Sequence, residues 1–119
     1  MADAFQRWLL LRQLAVGDLP KQGGCPAVYA FRDARTGDIL KFGNTGCLRT
    51  RIVGNYLGGY GGKTTERIYN ELFDNGMIDR VEIAWIETKD KGEAERKERE
   101  FRAAYKKVHG RRPLWDLID

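Results

Sequence analysis

Apolar residues fall into short patterned runs along this chain, separated by glycine, proline and polar clusters. Over residues 3–15, Phe5, Trp8, Leu9, Leu11 and Leu14 make one side of an amphipathic helix. Gly17, Pro20, Gly23, Gly24 and Pro26 then mark a loop. The run AVYAF at 27–31 predicts a strand, Thr36-Gly37-Asp38 a turn, and residues 39–42 a second strand, together an antiparallel hairpin. A helix is expected from about Gly46 to Tyr56, capped by Thr45, with Leu48, Ile52 and Tyr56 on one face. After the glycine-rich stretch 57–62, Thr64 or Thr65 opens another helix that turns Ile68, Leu72 and Phe73 inward and ends at Asn75-Gly76. Residues 77–86 read as a third strand, and 92–108 as a last helix with Ala94, Phe101, Tyr105 and Val108 on one face. The order α-β-β-α-α-β-α predicts an α+β fold: a small three-stranded antiparallel sheet flanked by helices, with an extra N-terminal helix. The expected division is an N-terminal helix and linker over 1–22 and a single domain over 23–119.

One residue breaks the pattern of the last helix. Glu98 lies four after Ala94 and three before Phe101, on the apolar stripe. A carboxylate there must find a cation, a hydrogen-bond donor or a metal, or else take up a proton.

Composition narrows the function classes. The chain has 119 residues, 42% hydrophobic and 32% charged, which suits one globular domain. No apolar run approaches a membrane span, and Trp8 to Leu11 is too short for the core of a signal peptide. An intracellular, cytoplasmic protein without a membrane partner is expected. Two cysteines, Cys25 and Cys47, are too few for a disulfide scaffold or a zinc site. The net charge of +4 suits a polyanion partner without demanding one. Its distribution is more telling: Arg49, Arg51, Lys63 and Arg67 fall mid-chain, and Lys106, Lys107, His109, Arg111 and Arg112 cluster near the end.

Several of these features together resemble the GIY-YIG nuclease family. Ala27-Val28-Tyr29 stands where that family has Gly-Ile/Val-Tyr, and Lys41-Phe42-Gly43 where it has Tyr-Ile/Val-Gly. Gly43-Asn44-Thr45-Gly46-Cys47-Leu48-Arg49-Thr50-Arg51 matches the following helix, with Arg51 as the family's arginine. Ala94, Glu98 and Phe101 fit the glutamate helix, and Pro113 followed by Asp116 fits a terminal proline and asparagine. The match runs from residue 26 to 116.

The resemblance implies a metal-dependent endonuclease hydrolysing DNA phosphodiester bonds. Its catalytic set would be Tyr29, Lys41, Arg51, Tyr56 and Glu98. Arg51 could grip a phosphate oxygen, Glu98 could hold Mg²⁺ or Mn²⁺, and Tyr29 or Tyr56 could accept a proton from water if nearby positive charge lowered its pKa. Arg49, Lys63, Arg67, Lys106, Lys107, Arg111 and Arg112 are the expected nucleic-acid contacts. With no recognisable base-reading element, specificity would come from DNA shape or from a protein partner.

The departures from the family pattern open alternatives. Lys41 replaces a tyrosine; it could hold phosphate as a point charge, or occupy the metal's place and leave a catalytically inactive nucleic-acid-binding module. Asn55 stands where many family members have histidine or tyrosine, with Tyr56 one beyond, and Asp116 replaces asparagine. Taken singly the residues have plainer readings. Glu98 could form a salt bridge with Arg51, Tyr29 could be core packing, and Lys41 could be the outward position of a half-buried strand. On those readings the chain is a small α/β protein-interaction domain. The stretch Gly58 to Thr64 is similar to a phosphate-binding P-loop, but Leu57 stands where the first glycine is required. It is either a loop whose Tyr60 and Lys63 contact nucleic acid, or a solvated linker.

Overall fold

A computed structural model describes residues 5, 7–14, 16–20 and 25–117. It has an α+β architecture built on a four-stranded antiparallel sheet: β1 (Leu9–Leu10), β2 (Ala27–Asp33), β3 (Ile39–Thr45) and β4 (Val81–Glu87), in the order β1-β4-β2-β3. The hairpin and its turn are present, and the third expected strand is present from Val81, with Met77–Asp79 forming a 3₁₀ turn in place of its first residues. The sheet gains a fourth strand where the N-terminal helix was expected. Leu9 and Leu10 pair with Ile83 and Glu82 of β4, and Leu11–Gln13 forms a single 3₁₀ turn. Edge pairing satisfies backbone groups that β4 would otherwise expose, which a helix could not do. Residues 3, 4, 6 and 15 of the expected helix lie outside the described residues.

Helices cover both faces of the sheet. On one, Tyr29, Phe31, Val81 and Ile83 meet Leu48, Ile52 and Tyr56, and Ile68 and Leu72 of α1 (Lys63–Phe73), with Leu11, Leu19 and Trp115 closing the cluster. On the other, Ala30, Phe42 and Ala84 meet Tyr105 and Phe101 of α2 (Lys91–His109), with Phe5 and Trp8 beside them. Asp90 caps α2 by accepting from the Glu93 amide. The N-cap of α1 is Gly62, with no side-chain cap; Thr64 and Thr65, the expected caps, both lie inside the first turn, and Thr65 is buried there. Phe73 and Val108 were expected to face inward; both are exposed, Val108 because residues 106–110 all project beyond the core.

The helix expected over 46–56 occupies residues 48–56, and Thr50–Tyr56 is a π-helix. Its wide turn is closed by the Leu57 amide bonding the Ile52 carbonyl, five residues back. Gly54 in the middle leaves the backbone free to widen. Leu48, Ile52 and Tyr56 are fully buried, as their spacing indicates. Among the described residues, no helix is long and apolar enough to cross a membrane.

Candidate functional site

Tyr29, Arg51 and Tyr56 come together from two elements. Tyr29 lies mid-β2, facing the π-helix, and its hydroxyl is 2.7 Å from that of Tyr56. Arg51 donates from Nε to the Tyr29 hydroxyl at 3.2 Å, and its guanidinium stacks 4.8 Å from the centre of the Tyr56 ring. The π-turn explains that stack, because it brings residues five apart over one another. Gly43 completes the cluster. It is Tyr29's partner across the β2–β3 ladder, and any Cβ at that position would run into the phenol ring.

The electrostatics of this cluster are one-sided. Both tyrosines are buried and Arg51 is half-buried. Among the described residues, no carboxylate lies within ion-pair distance of Arg51; its partners are two neutral phenols and a π face. Burial drives the Tyr29 pKa well above the usual tyrosine value, the neighbouring Tyr56 adds to the rise, and Arg51 only partly opposes it. Tyr29 is therefore a protonated donor at neutral pH. The cation was expected to lower a tyrosine toward basicity; desolvation outweighs it.

Lys41 and Glu98 belong to a second cluster, along the edge strand β3. Lys41 is Phe31's partner across the ladder and is buried, not an outward strand residue. Its Nζ lies 3.4 Å from Oδ1 of Asp116, in the C-terminal turn Leu114–Leu117 that Trp115 anchors against Phe31. Arg102 of α2 reaches Asp116 with Nε at 3.3 Å and Glu98 with Nη1 at 3.4 Å. Asn44 donates to Oε1 of Glu98 at 3.1 Å. The result is a chain of alternating partners: Asn44, Glu98, Arg102, Asp116, Lys41. One link is incomplete, since Arg102 Nε and Asp116 Oδ2 are buried and close but make no formed hydrogen bond. Glu98 is paired with Arg102, not with Arg51.

Two expected site residues depart from their simplest roles, and three members of the second cluster were not foreseen as Glu98 and Lys41 partners. Arg102 was detectable, being four residues after Glu98 on the same helix. Asn44 and Asp116 meet their partners only through the tertiary fold. Glu98 keeps coordinating capacity, since a carboxylate offers about four lone-pair positions and Asn44 and Arg102 occupy two. Among the described residues, no group of three or more His, Cys, Asp or Glu side chains could hold a metal ion.

The expected nucleic-acid contacts divide. Lys63 and Arg67 are exposed on the first turns of α1, Lys106 and Lys107 on the last turn of α2, and Arg112 just beyond it. Arg49 instead bonds the carbonyls of Leu19 and Pro20, and Arg111 is tied to Asp38, which also accepts from Tyr105. No protein-family model matches the chain, and no curated protein sequence matches it significantly.

Proposed function

We propose that this chain is a metal-dependent DNA endonuclease of GIY-YIG type. The observation that carries the reading is Arg51: a half-buried cation held by two tyrosines with no acid to neutralise it among the described residues. Holding a guanidinium in place with neutral groups leaves its charge for an incoming anion, and its planar fork matches a phosphate. Tyr29, kept protonated and buried, orients Arg51 through its hydroxyl. Its role is positioning and charge stabilisation in the free protein. Glu98 is the carboxylate that would hold Mg²⁺ or Mn²⁺, and that ion would supply Lewis acidity toward the phosphate and a readier water nucleophile. The pairing of Lys41 with Asp116 leaves Lys41 as an anchor for the C-terminal turn. DNA is the proposed substrate and the cytoplasm the proposed location.

A second reading is a binding module of the same fold without catalysis. Two observations favour it: Asp116 pairs with the charge of Lys41, and Arg102 claims an oxygen of Glu98. Cleavage of labelled linear, nicked and branched DNA with Mg²⁺ or Mn²⁺ separates the two. The nuclease reading expects cutting by the wild type that is lost in Glu98→Ala and Arg51→Ala. Salt-sensitive binding with no cutting would leave the binding module.

A further inference from the structure

Tyr60 is 74% exposed, yet the loop beneath it is pinned on all sides. Asn55 of the π-helix donates from Nδ2 to the Tyr60 carbonyl at 2.6 Å, and its own carbonyl accepts from the Gly59 amide at 2.8 Å. Gly59 and Gly61 both have positive φ. Their backbones lie so close to the Tyr69 ring and to Thr65 that a Cβ on either would be crowded. A single exposed aromatic is ordinary on a protein surface. A backbone ordered from both flanking helices to hold such a ring in water is not needed for packing, and its conformational entropy has already been lost on folding.

The surroundings identify the partner. Asn55 is four residues after Arg51 on the same wide-turned helix, so the tyrosine loop is anchored one turn from the uncompensated guanidinium. Residues 39–65 contain no Asp or Glu; of their cations, Lys41 is taken by Asp116 and Arg49 by backbone carbonyls, which leaves half-buried Arg51 and exposed Lys63, three residues after Tyr60. An aromatic face in an acid-free, basic stretch suits a nucleobase attached to a phosphate backbone, because stacking accepts any base while cations follow the backbone. Asn55, where family members often carry histidine or tyrosine, has its side-chain donor engaged in holding this loop.

We infer that Tyr60 is a stacking platform for an unpaired base, and that the substrate class is DNA with single-stranded character, such as a gap, flap or junction. This rests on the proposed function, since it presumes that the Arg51 face meets DNA.

The test measures binding of the full chain to a labelled single-stranded oligonucleotide and to the same oligonucleotide with abasic sites replacing its bases. Wild type, Tyr60→Ala, Tyr60→Phe and Arg51→Ala are compared by anisotropy. Tyr60→Ala is expected to weaken binding to the base-bearing strand about tenfold, to leave the abasic strand unaffected, and to be rescued by Tyr60→Phe. Arg51→Ala should weaken both strands alike. Equal losses on the two strands, or no effect of Tyr60→Ala, would overturn the stacking role while leaving the Arg51 reading intact. Wild-type protein that binds neither strand nor any duplex or branched DNA would overturn both.

Discussion

The two polar clusters beside β3 each hold an arginine and treat its charge in opposite ways. Around Arg51 a cation is held by phenols and a π face, so its charge is positioned and left uncompensated. From Lys41 to Asn44 each charge is answered by the next, with Asp116 between two cations and Arg102 between two acids. The first arrangement stores binding capacity. The second spends its cations on tying α2 and the C-terminal turn to the edge strand, and leaves only Glu98 with unused lone pairs. A charged residue near a cleft therefore says little by itself; the neutrality or charge of its partners decides whether it can act on a ligand.

If that contrast is right, disrupting the neutral chain should harm stability most. Asp116→Ala strands Lys41, a buried ammonium, without a partner, and is expected to cost about 3 kcal/mol in urea unfolding. Adding Lys41→Met should recover most of that loss. Equal destabilisation in the single and double variants would show that the pair is not what holds the turn.

The Arg51 cluster should behave the other way, with function lost and fold retained. Arg51→Ala is expected to lower cleavage about a hundredfold, near 2.7 kcal/mol of transition-state stabilisation, with an unfolding midpoint close to wild type. The tyrosine pair survives the change because Tyr29 and Tyr56 still bond each other. A large drop in the midpoint would instead make Arg51 structural.

Gly43→Ala tests whether the cluster's geometry is fixed by backbone contact. The new methyl meets the Tyr29 ring, so overpacking should cost about 2 kcal/mol and displace the phenol from Arg51. Wild-type stability in this variant would mean the ring moves aside freely.

A smaller effect is expected from acid, at an ion pair that belongs to neither cluster. Arg80, hydrogen-bonded to Asp33, holds that carboxyl below the ordinary carboxylate range, against an opposing contribution from burial. A carboxyl with a depressed folded-state pKa stabilises fully above its unfolded pKa. That stability is lost as pH falls through the folded value. Unfolding midpoints measured downward from pH 7 should therefore decline below the ordinary carboxylate range, and Asp33→Asn should flatten that decline. A parallel decline in the variant would assign the acid sensitivity elsewhere.

Local patterns made much of this molecule legible. Thr36-Gly37-Asp38 between apolar runs marked the hairpin, and Leu48, Ile52 and Tyr56 marked a buried helix face. The two-residue β1 has no period to detect, and its apolar neighbours fit a helix equally well. Lys41 is buried where alternation predicts an outward position, because alternation reports an outward face only when one side of a strand meets water. Here helices cover both faces, so the lysine is interior and must be neutralised. Glu98 stood out because it broke an apolar stripe, and Arg102 was within reach of the same argument. Asp116 is 75 residues from Lys41 in the chain, a pairing no local pattern contains. The π-turn that stacks Arg51 on Tyr56 was equally hidden, since it differs from an α-turn only by a one-residue shift in backbone hydrogen bonding.

The most direct test of the central claim is the salt dependence of DNA binding for wild type, Arg51→Ala and Arg102→Ala. Each phosphate contact contributes about one to the slope of log affinity against log salt. Arg51→Ala should reduce that slope by about one, and Arg102→Ala, which removes a charge already answered within the protein, should leave it unchanged. An unchanged slope in Arg51→Ala, or a reduction confined to Arg102→Ala, would contradict the central claim.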